Sequence, residues 1–473
     1  MSHKLNLLAA ASLITLTGCM NMAPEYERID LPVPAEFDST TVDQGYEAPL
    51  YWEGVITSPA LRNLVEQALE NNRDLKAAVA NVRAAQANLV SSRSQLWPYI
   101  SAGASSQIAD TFDDGSGPNT RFVDSTYAQV GVAAWELDFF GRISNLNAAA
   151  LQTYLATAEG ERAARIALVA TVAETWLQLA SDQELLRLAN QTVESQSESL
   201  SLTNELFEAG TASELDVRRA SASVSQAQAQ AAQYEAAVRR DLNALRYLTG
   251  TDLPANLASQ ASLFPAPVRV DIPVGQSSAA LLMRPDVIAA ERQLLAANAN
   301  IGAARAAFFP SISLTGNVGI ASGDLDDLFN GDPTSGWAFT PSIDIPIFDF
   351  GNRQGRLDAA RANADAALAN YESTIQQAFR DVSDTLAVSE TIDKRLEALE
   401  QLADDTTVTL SLSSERFKSG LDGYLTVLDA QREDYSAKQQ LIIANLDRNL
   451  NALALYRALG TWEQEAPTEA EAN

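Results

Sequence analysis

Almost no side chain in the sequence is suited to nucleophilic or transition-metal chemistry. Among its 473 residues there is one histidine, His3, and one cysteine, Cys19. Both lie in a segment typical of an export signal, and its removal would take away the imidazole and leave Cys19 as the first residue. Ser-His-Asp or Cys-His catalysis, zinc sites built on histidine or cysteine, and disulfide bonds are therefore excluded.

Carboxylates are abundant, but their spacing favours neither catalysis nor metal binding. Adjacent pairs such as Asp326-Asp327 and Asp404-Asp405 diverge on a helix or loop, so they make poor acid/base pairs. The acidic loops 113–118 and 323–327 lack the full ligand spacing of a calcium site. With 33 basic against 61 acidic residues and a formal net charge of −28, the chain is a poor partner for nucleic acid. The sequence predicts neither an enzyme nor a metal site.

Cys19 follows a short apolar run, Leu5–Leu16, which Lys4 precedes. The run is too short to span a membrane comfortably, and Leu16-Thr17-Gly18-Cys19 resembles the lipobox of bacterial lipoproteins, whose cysteine is lipidated. The pattern predicts a covalent lipid on Cys19 and no other cofactor. The alternative is an ordinary signal peptide in which Cys19 is incidental. No other segment is a transmembrane helix candidate, so a lipoprotein that also spans a membrane would have to use strands.

The chain is an internal duplication. Shifting it by 212 residues aligns 74–101 with 286–313, and 11 of these 28 positions are identical. Farther along, the offset becomes 210 and pairs Gly210 with Gly420. A repeat constrains the whole architecture. We therefore interpret the chain as two copies of one unit.

Each copy carries one unusually long helix. The stretches 142–209 and 352–419 contain no proline and one glycine each. Their alanine, leucine, glutamine, glutamate and arginine favour helix, and such a helix would form a rod of roughly 100 Å. A rod of this length is typical of an extended coiled coil rather than of a compact globule.

Two shorter helices flank each long helix. They are predicted over 61–97, 211–249, 279–309 and 421–459. Two short helices nearly equal one long helix in length, so the economical packing sets one against each half of the rod. The proline-containing pieces 24–59 and 253–273 and the tail after Gly460 are expected at the middle of the rods, which we call the equator.

Between the first short helix and the long helix of each copy, the sequence alternates with period two. In the second copy, apolar residues alternate with polar ones over 311–320 and again over 337–347. In the first copy this alternation is weaker and covers residues 100–108 and 122–138. Each run approaches the length of a tilted transmembrane strand with one apolar and one polar face. The alternative is an ordinary hairpin on a soluble sheet.

Four strands are too few to close a barrel with an open interior, and hydrocarbon does not tolerate unpaired strand edges. The chain is therefore expected to form oligomers. Three copies would supply twelve strands and a wide interior, whereas two copies would supply eight and a filled one.

Three motifs identify a family. They are Arg416–Arg432 (RFKSGLDGYLTVLDAQR), Met283-Arg284-Pro285-Asp286, and Phe308-Phe309-Pro310 at the entry to a strand. With the lipobox, they make the chain resemble TolC-type outer-membrane factors, and within these the OprM-like lipoprotein branch that serves resistance-nodulation-division pumps. The resemblance covers nearly the whole mature chain.

The resemblance implies an α+β membrane protein, internally duplicated, in which a long coiled-coil-like α-helical barrel continues into a trimeric twelve-stranded transmembrane β-barrel with four strands per protomer. The expected divisions are a signal peptide (1–18), a lipidated and equatorial segment (19–60), a helix (61–97), a β-hairpin (98–140), a long helix with its tip hairpin (141–250), an equatorial linker (251–278), a helix (279–309), a β-hairpin (310–350), a long helix with its tip hairpin (351–460), and an acidic tail (461–473).

The resemblance also implies a function. A homotrimer in the bacterial outer membrane, lipid-anchored and with a long periplasmic part, would passively conduct small solutes such as drugs. It would be the exit duct of a tripartite efflux system with a periplasmic adaptor and an inner-membrane resistance-nodulation-division transporter. The alternatives are the conduit of a type I protein secretion system and a structural lipoprotein that spans the envelope.

A periplasmic gate is implied at the helix tips, on Leu425, Asp429 and Arg432, with Asp216 and Arg219 in the first copy. A pairing of Asp429 with Arg219 between neighbouring helices is a hypothesis. The alternative is that Asp429 and Arg432 only solvate a helix face. The adaptor contacts are expected at two turns, Gly210-Thr211-Ala212-Ser213 and Gly420-Leu421-Asp422-Gly423, where glycine tolerates the positive φ that a helix end requires.

Overall fold

A computed structural model of the chain describes residues 21–37, 51–107, 125–269, 278–323 and 325–459. Cys19, the predicted signal peptide, the acidic loop 113–118 and the tail 461–473 lie outside the described residues. The elements, in chain order, are α1 (Trp52–Val55), α2 (Pro59–Asn71), α3 (Arg73–Ser94), β1 (Ile100–Gln107), β2 (Ser125–Leu137), α4 (Arg142–Glu208), α5 (Glu214–Thr249), α6 (Leu257–Gln260), a 3-10 helix (Ser278–Met283), α7 (Pro285–Ala306), β3 (Ser311–Ser322), α8 (Leu325–Asn330), β4 (Thr334–Asp344), α9 (Asn352–Lys418) and α10 (Tyr424–Leu459).

The two long helices, α4 and α9, have 67 residues each. In one half of the molecule α4 packs along α5 and α10, and in the other half along α3 and α7. The helix α9 packs along α10 in the first half and α7 in the second. Each half of each rod is thus covered by a short helix of its own copy, as the matching lengths predicted, and α4 is also covered in each half by a short helix of the second copy.

The first short helix is not continuous, and the prediction of one helix over 61–97 was wrong. Asn72 has an extended ψ of 132° and separates α2 from α3. Its Oδ1 accepts a hydrogen bond from the N–H of Leu75 (2.9 Å), and its Nδ2 donates to the carbonyl of Leu248 (2.9 Å). The break therefore has a local cause, because asparagine is a favoured N-cap, and a tertiary one, the contact with Leu248 near the far end of α5.

The corresponding helix of the second copy, predicted over 279–309, is also divided. A 3-10 helix ends at Met283, and α7 begins at Pro285, whose ring suits the first helical position. Arg284 between them has an extended ψ of 133°, as expected for a residue before proline.

The four strands form one antiparallel sheet in the order β1-β2-β3-β4. The register pairs Ile100 with Val132 and Val318 with Val130 and Trp337. A bulge between Val132 and Trp135 contains Ala134, whose φ of 47° is left-handed. The strand β4 ends at Asp344, short of the predicted Ile347. The ladder ends there because Asp344 pairs with Ser311, the first residue of β3, so the residues after Asp344 have no partner on that strand.

The largest apolar core lies at the equator. The middle of α4 contributes Trp176, Leu177 and Leu179, all fully buried, and α2, α5, α10 and the linker after α5 pack around them. Among the described residues, none of the helices is both long and apolar enough to traverse a bilayer.

Residues 21–37, which we call the N-terminal strap, lie along α7 and α9. Arg28 of the strap donates to both carboxylate oxygens of Glu291 on α7 (2.8 Å each), and the Tyr26 hydroxyl donates to the same carboxylate (2.9 Å). Phe37 stacks on Phe379 with ring centroids 4.8 Å apart. Burial and the bond to Glu291 raise the pKa of Tyr26, so its hydroxyl remains a donor.

The strap should depend on the bond between Arg28 and Glu291. The side chain of Glu291 is only 12% exposed, so Arg28→Ala leaves a mostly buried carboxylate without its cation. Arg28 itself is half exposed, and we expect a loss of about 1–2 kcal/mol in the free energy of unfolding. Hydrogen exchange of the strap amides and denaturation in detergent measure the effect. Glu27→Ala, at an exposed position beside it, is the control; equal loss in both variants would contradict the assignment.

Candidate channel wall, gate and helix tips

The sheet has one apolar and one polar face. On β4, Trp337, Phe339 and Ile343 are exposed, with Trp337 at 80%. On the alternate positions the polar side chains bond to one another: Ser313 and Ser342 lie 2.7 Å apart, and Asn317 donates to Gln129 over 2.8 Å. The large exposed apolar surface suits lipid, and the polar face suits water.

At the far end of the rods, each long helix ends in a turn around a glycine. Gly210 has φ 78° and Gly420 has φ 71°, both left-handed, as predicted for the helix ends. Beyond the first glycine, the N–H of Thr211 donates to the carbonyl of Leu206 (2.8 Å); beyond the second, the N–H of Leu421 donates to that of Arg416 (2.9 Å). These bonds satisfy the last carbonyls of α4 and α9.

The first tip turn is closed by a capping box. The Ser213 hydroxyl accepts from the N–H of Asp216 (3.3 Å), and the Asp216 carboxylate accepts from the N–H (3.2 Å) and the hydroxyl (2.6 Å) of Ser213. The carboxylate of Asp216 is therefore occupied within its own turn. Ala212 is half-buried and Thr211 is exposed.

The second tip turn is closed by an ion pair instead. Arg416 at the end of α9 donates two hydrogen bonds to Asp422, of 2.6 and 2.9 Å. The bond to Arg416 lowers the pKa of Asp422. At the corresponding first-copy positions stand Leu206 and Ala212, which cannot form such a pair. Sequence reasoning named Asp422 only as a contact residue and missed the pair, although opposite charges flank a predicted turn.

The three residues of α10 that are predicted to form the gate share one exposed face. Leu425 is 49% exposed, and Asp429 and Arg432 are exposed as well. On the opposite face Val427 and Ala430 are buried. The chain itself therefore covers one face of α10 and leaves the face with the predicted gate residues open.

The hypothetical partner of Asp429 does not reach it within one chain. Arg219 is exposed on α5. In the part of the chain that the structure describes, no hydrogen bond or ion pair joins Asp429 to Arg219 or to Arg432. The single chain brings the predicted gate residues of α10 to one face but does not bring the charges of Asp429 and Arg219 together.

The covered face of α10 is held by apolar and polar contacts that the sequence did not reveal. Phe417, Tyr424, Val427 and Leu428 form a cluster with Ala220 of α5. Polar bonds then tie α10 to three neighbouring helices: Gln431 to Ser199 of α4 (3.1 Å), Asp434 to Thr407 of α9 (2.7 Å), and Gln439 to Tyr234 of α5 (2.8 Å). The bonded residues lie far apart in sequence, which is why no local pattern shows them.

The comparisons with known proteins match this geometry over nearly the whole chain. A family model described as outer membrane efflux protein matches residues 64–251 and 277–461, close to the two copies of the duplication. This chain belongs to the outer membrane efflux protein family.

Individual relatives agree with the family. The chain is 42% identical to the solvent efflux pump outer membrane protein SrpC of Pseudomonas putida over 468 residues, which are 97% of this chain and 98% of the relative. It is 40% identical to the outer membrane protein OprJ of Pseudomonas aeruginosa over 461 residues, which are 96% of each chain.

Solved structures agree in fold. The open state of the Neisseria gonorrhoeae MtrE outer membrane channel superposes with a TM-score of 0.84 at 35% identity, covering 93% of this chain and 98% of that one. A structure of CusC gives a TM-score of 0.82 at 32% identity, covering 93% and 100%. The fold is the α-helical barrel and β-barrel fold of TolC-type channels, and the chain is the outer-membrane exit duct of an efflux system.

The capping box should control the order of the first tip. Asp216→Ala removes the acceptor for the Ser213 N–H, and loss of a cap costs about 1 kcal/mol. We expect the amides of 213–217 to exchange about fivefold faster with deuterium. Thr426→Ala, at the corresponding exposed position of α10, is the matched control. Unchanged exchange in Asp216→Ala would show that the box does not hold the turn.

Proposed function

We propose that three copies of the chain form one continuous tunnel that passively carries small organic solutes out of the cell. The observation that carries the proposal is the open sheet. Within the described part of the chain, β1 pairs only with β2 and β4 only with β3. Each free edge leaves backbone groups unpaired, which a bilayer does not tolerate, so β4 of one copy must meet β1 of the next. Twelve strands give an open interior, whereas eight give a filled one.

The helices support the same assembly. The rod α9 lies at one edge of the helical layer, and α3 and α5 lie at the other. Along α9, apolar side chains stay exposed in the single chain: Val388, Leu402, Val408 and Leu412. These residues lie in the tip half of α9, so a neighbouring copy that pairs its sheet edge would bring its own α5 to them.

The solutes are proposed from the relatives and from the wall. Relatives of this chain are named for the efflux of solvents, toluene and antibiotics. The polar face of the sheet, lined by groups such as Asn317 and Gln129, would face the water of the tunnel. No covalent step is needed, because such a duct only conducts.

The proposed partners are a periplasmic adaptor at the tips and, through it, an inner-membrane resistance-nodulation-division transporter. Apolar side chains remain exposed at both tips: Phe207 and Leu215 in the first copy and Leu421 in the second. They surround the two turns 210–213 and 420–423, whose backbone is fixed by the bonds described above. A fixed turn with exposed apolar residues is suited to contact another protein.

The proposed gate is the exposed face of α10. In a threefold ring, Leu425 would narrow the bore, and Asp429 would be repeated three times around it. Arg219 of α5 and Arg432 of α10 are the basic groups that would offset this charge. Asp216 is occupied by its capping box and would act by holding the turn.

The lipid anchor on Cys19 is also proposed. The carbonyl of Met22, three residues along the chain from Cys19, accepts a hydrogen bond from Arg305 (3.1 Å). Arg305 lies in the last turn of α7, just before β3 begins at Ser311. Three residues reach at most about 11 Å, so a lipid on Cys19 would lie near the base of the sheet, where the membrane surface is expected.

The assembly and the gate are tested on the purified parent protein and its variants. Native mass measurement in detergent should give three copies, and planar bilayers should show single channels. The double variant Asp429→Ala/Arg432→Ala should raise the mean conductance severalfold, because it removes the charged ring. Asp434→Asn, on the buried face of α10, is a control for general disturbance of the helix.

A monomer or dimer with intact strand content would overturn the proposed tunnel. Trimeric channels whose conductance is the same in parent and double variant would overturn only the gate.

The lipid anchor has a separate test. Cys19→Ser should abolish incorporation of labelled fatty acid, since the thiol is the acceptor. Each buried methylene contributes about 0.8 kcal/mol, so membrane retention of newly made chains should fall as well. Ser12→Ala in the signal is the control. Labelled lipid on Cys19→Ser would disprove lipidation at this residue.

A further inference from the structure

Two carboxyl groups meet in the packing between α4 and α5. Asp182 on α4 is only 8% exposed, and the carboxyl of Asp241 on α5 lies beside it within hydrogen-bonding reach. The Oδ2 atom of Asp241 is buried, and no N–H or hydroxyl among the described residues donates to it. Two carboxylates have no proton between them, so a bond between these groups requires that one be protonated.

The environment of the pair favours that proton. Burial, and next the charge of Asp182, raise the pKa of Asp241 to about 7. Arg240 on the same helix is exposed and acts in the opposite direction. The helices α2 and α10 also contact α5. Among the described residues, no charged side chain of these two helices shifts the pKa of Asp241.

The second copy has no such pair. At the offset of 210 residues, Asp182 corresponds to Ile392 and Asp241 to Asn451. Ile392 is buried in an apolar cluster with Leu396. Asn451 donates to the carbonyl of Thr385 (3.0 Å) and to the hydroxyl of Ser389 (2.7 Å). The same packing position is therefore built without charge in one hairpin and with two carboxyls in the other.

The pair lies near the base of the first tip hairpin. Residues 241–249 of α5 lead to the equator over roughly 12 Å, whereas residues 214–241 lead to the tip over roughly 40 Å. A small change in the angle between α4 and α5 at this level is therefore enlarged at the tip by the length of the helices.

We propose that Asp182 and Asp241 form a proton-dependent latch at the base of the hairpin of α4 and α5. While one carboxyl carries a proton, the pair bonds and holds the two helices together. When both are ionised, their repulsion loosens the hairpin and displaces its tip. The latch itself does not depend on the proposed function; only its expected effect on channel conductance rests on that function.

The direction of the pH effect follows from linkage. The packed hairpin holds the proton more tightly than an unfolded chain, in which an aspartate titrates near pH 4. The contribution to stability is therefore complete at low pH and is lost as the pH rises through about 7. The latch is closed in mildly acidic medium and open in mildly basic medium.

Hydrogen exchange of the full-length protein in detergent tests the latch. After correction for the intrinsic exchange rate, the amides of 178–186 and 237–245 should lose about tenfold in protection between about pH 5.5 and about pH 8.5. In Asp241→Asn, which places the second copy's residue in the first copy, the loss should be less than about twofold. Asp182→Asn should act in the same way. Asp252→Asn, at a fully exposed aspartate beyond the same helix, should keep the parent's dependence.

Equal loss of protection in the parent and in both pair variants, or no loss in the parent, would overturn the latch. Single-channel recordings at the same two pH values test its effect on the tip: the conductance should change with pH in the parent and much less in Asp241→Asn. If exchange follows the prediction and channels form, but the conductance of the parent does not change with pH, the proposed displacement of the tip is disproved. If no sample conducts at any pH, the proposed function fails while the exchange result still decides the latch.

Discussion

The unpaired backbone at the two edges of the sheet is the constraint on which the rest of the architecture depends. A soluble protein can leave the edges of β1 and β4 to water, but a sheet with exposed Trp337, Phe339 and Ile343 on one face is built for hydrocarbon. Each strand is joined to a helix by a few residues, so the sheet also fixes the positions of the helices. Because α9 lies at one edge of the helical layer and α3 and α5 at the other, sheet and helices need a neighbour on the same two sides.

The duplication gives both halves one plan while allowing their ends to differ. At the junction between sheet and rod the copies are alike: each long helix follows a left-handed glycine, Gly141 or Gly351, and an aspartate just upstream accepts a first-turn N–H. At the tips they differ, since one turn is closed by a capping box and the other by the pair Arg416–Asp422. A closed barrel needs equivalent corners around its circumference. The tips have no such requirement, so their residues are free to serve different contacts.

Sequence reasoning succeeded where structure depends on local composition. Proline-free stretches of good helix formers predicted α4 and α9, and strict alternation predicted β3 and most of β4. It failed where a contact with a residue far away in sequence determines the local structure. The Asn72 side chain donates to the carbonyl of Leu248 across 176 positions of sequence, and Arg28 meets Glu291 across 263 positions. The proposed gate residues are an intermediate case: helical spacing puts Leu425, Asp429 and Arg432 on one face, but within the described residues of one chain no hydrogen bond or ion pair joins Asp429 to Arg219 or to Arg432.

The contacts behind the proposed gate limit how it can open. The hydrogen bonds of Gln431, Asp434 and Gln439 connect α10 to three other helices, and each contributes about 1 kcal/mol or somewhat more where a charge takes part. The cluster around Tyr424 and Phe417 adds apolar burial at the same level. A rotation of α10 alone would lose all of these contacts together. A movement of α9 with α10 as one hairpin keeps the bond to Thr407 and the contact with Phe417, and breaks only those to α4 and α5. Opening by whole hairpins is therefore the cheaper route, and the bonds to Ser199 and Tyr234 are the ones that resist it.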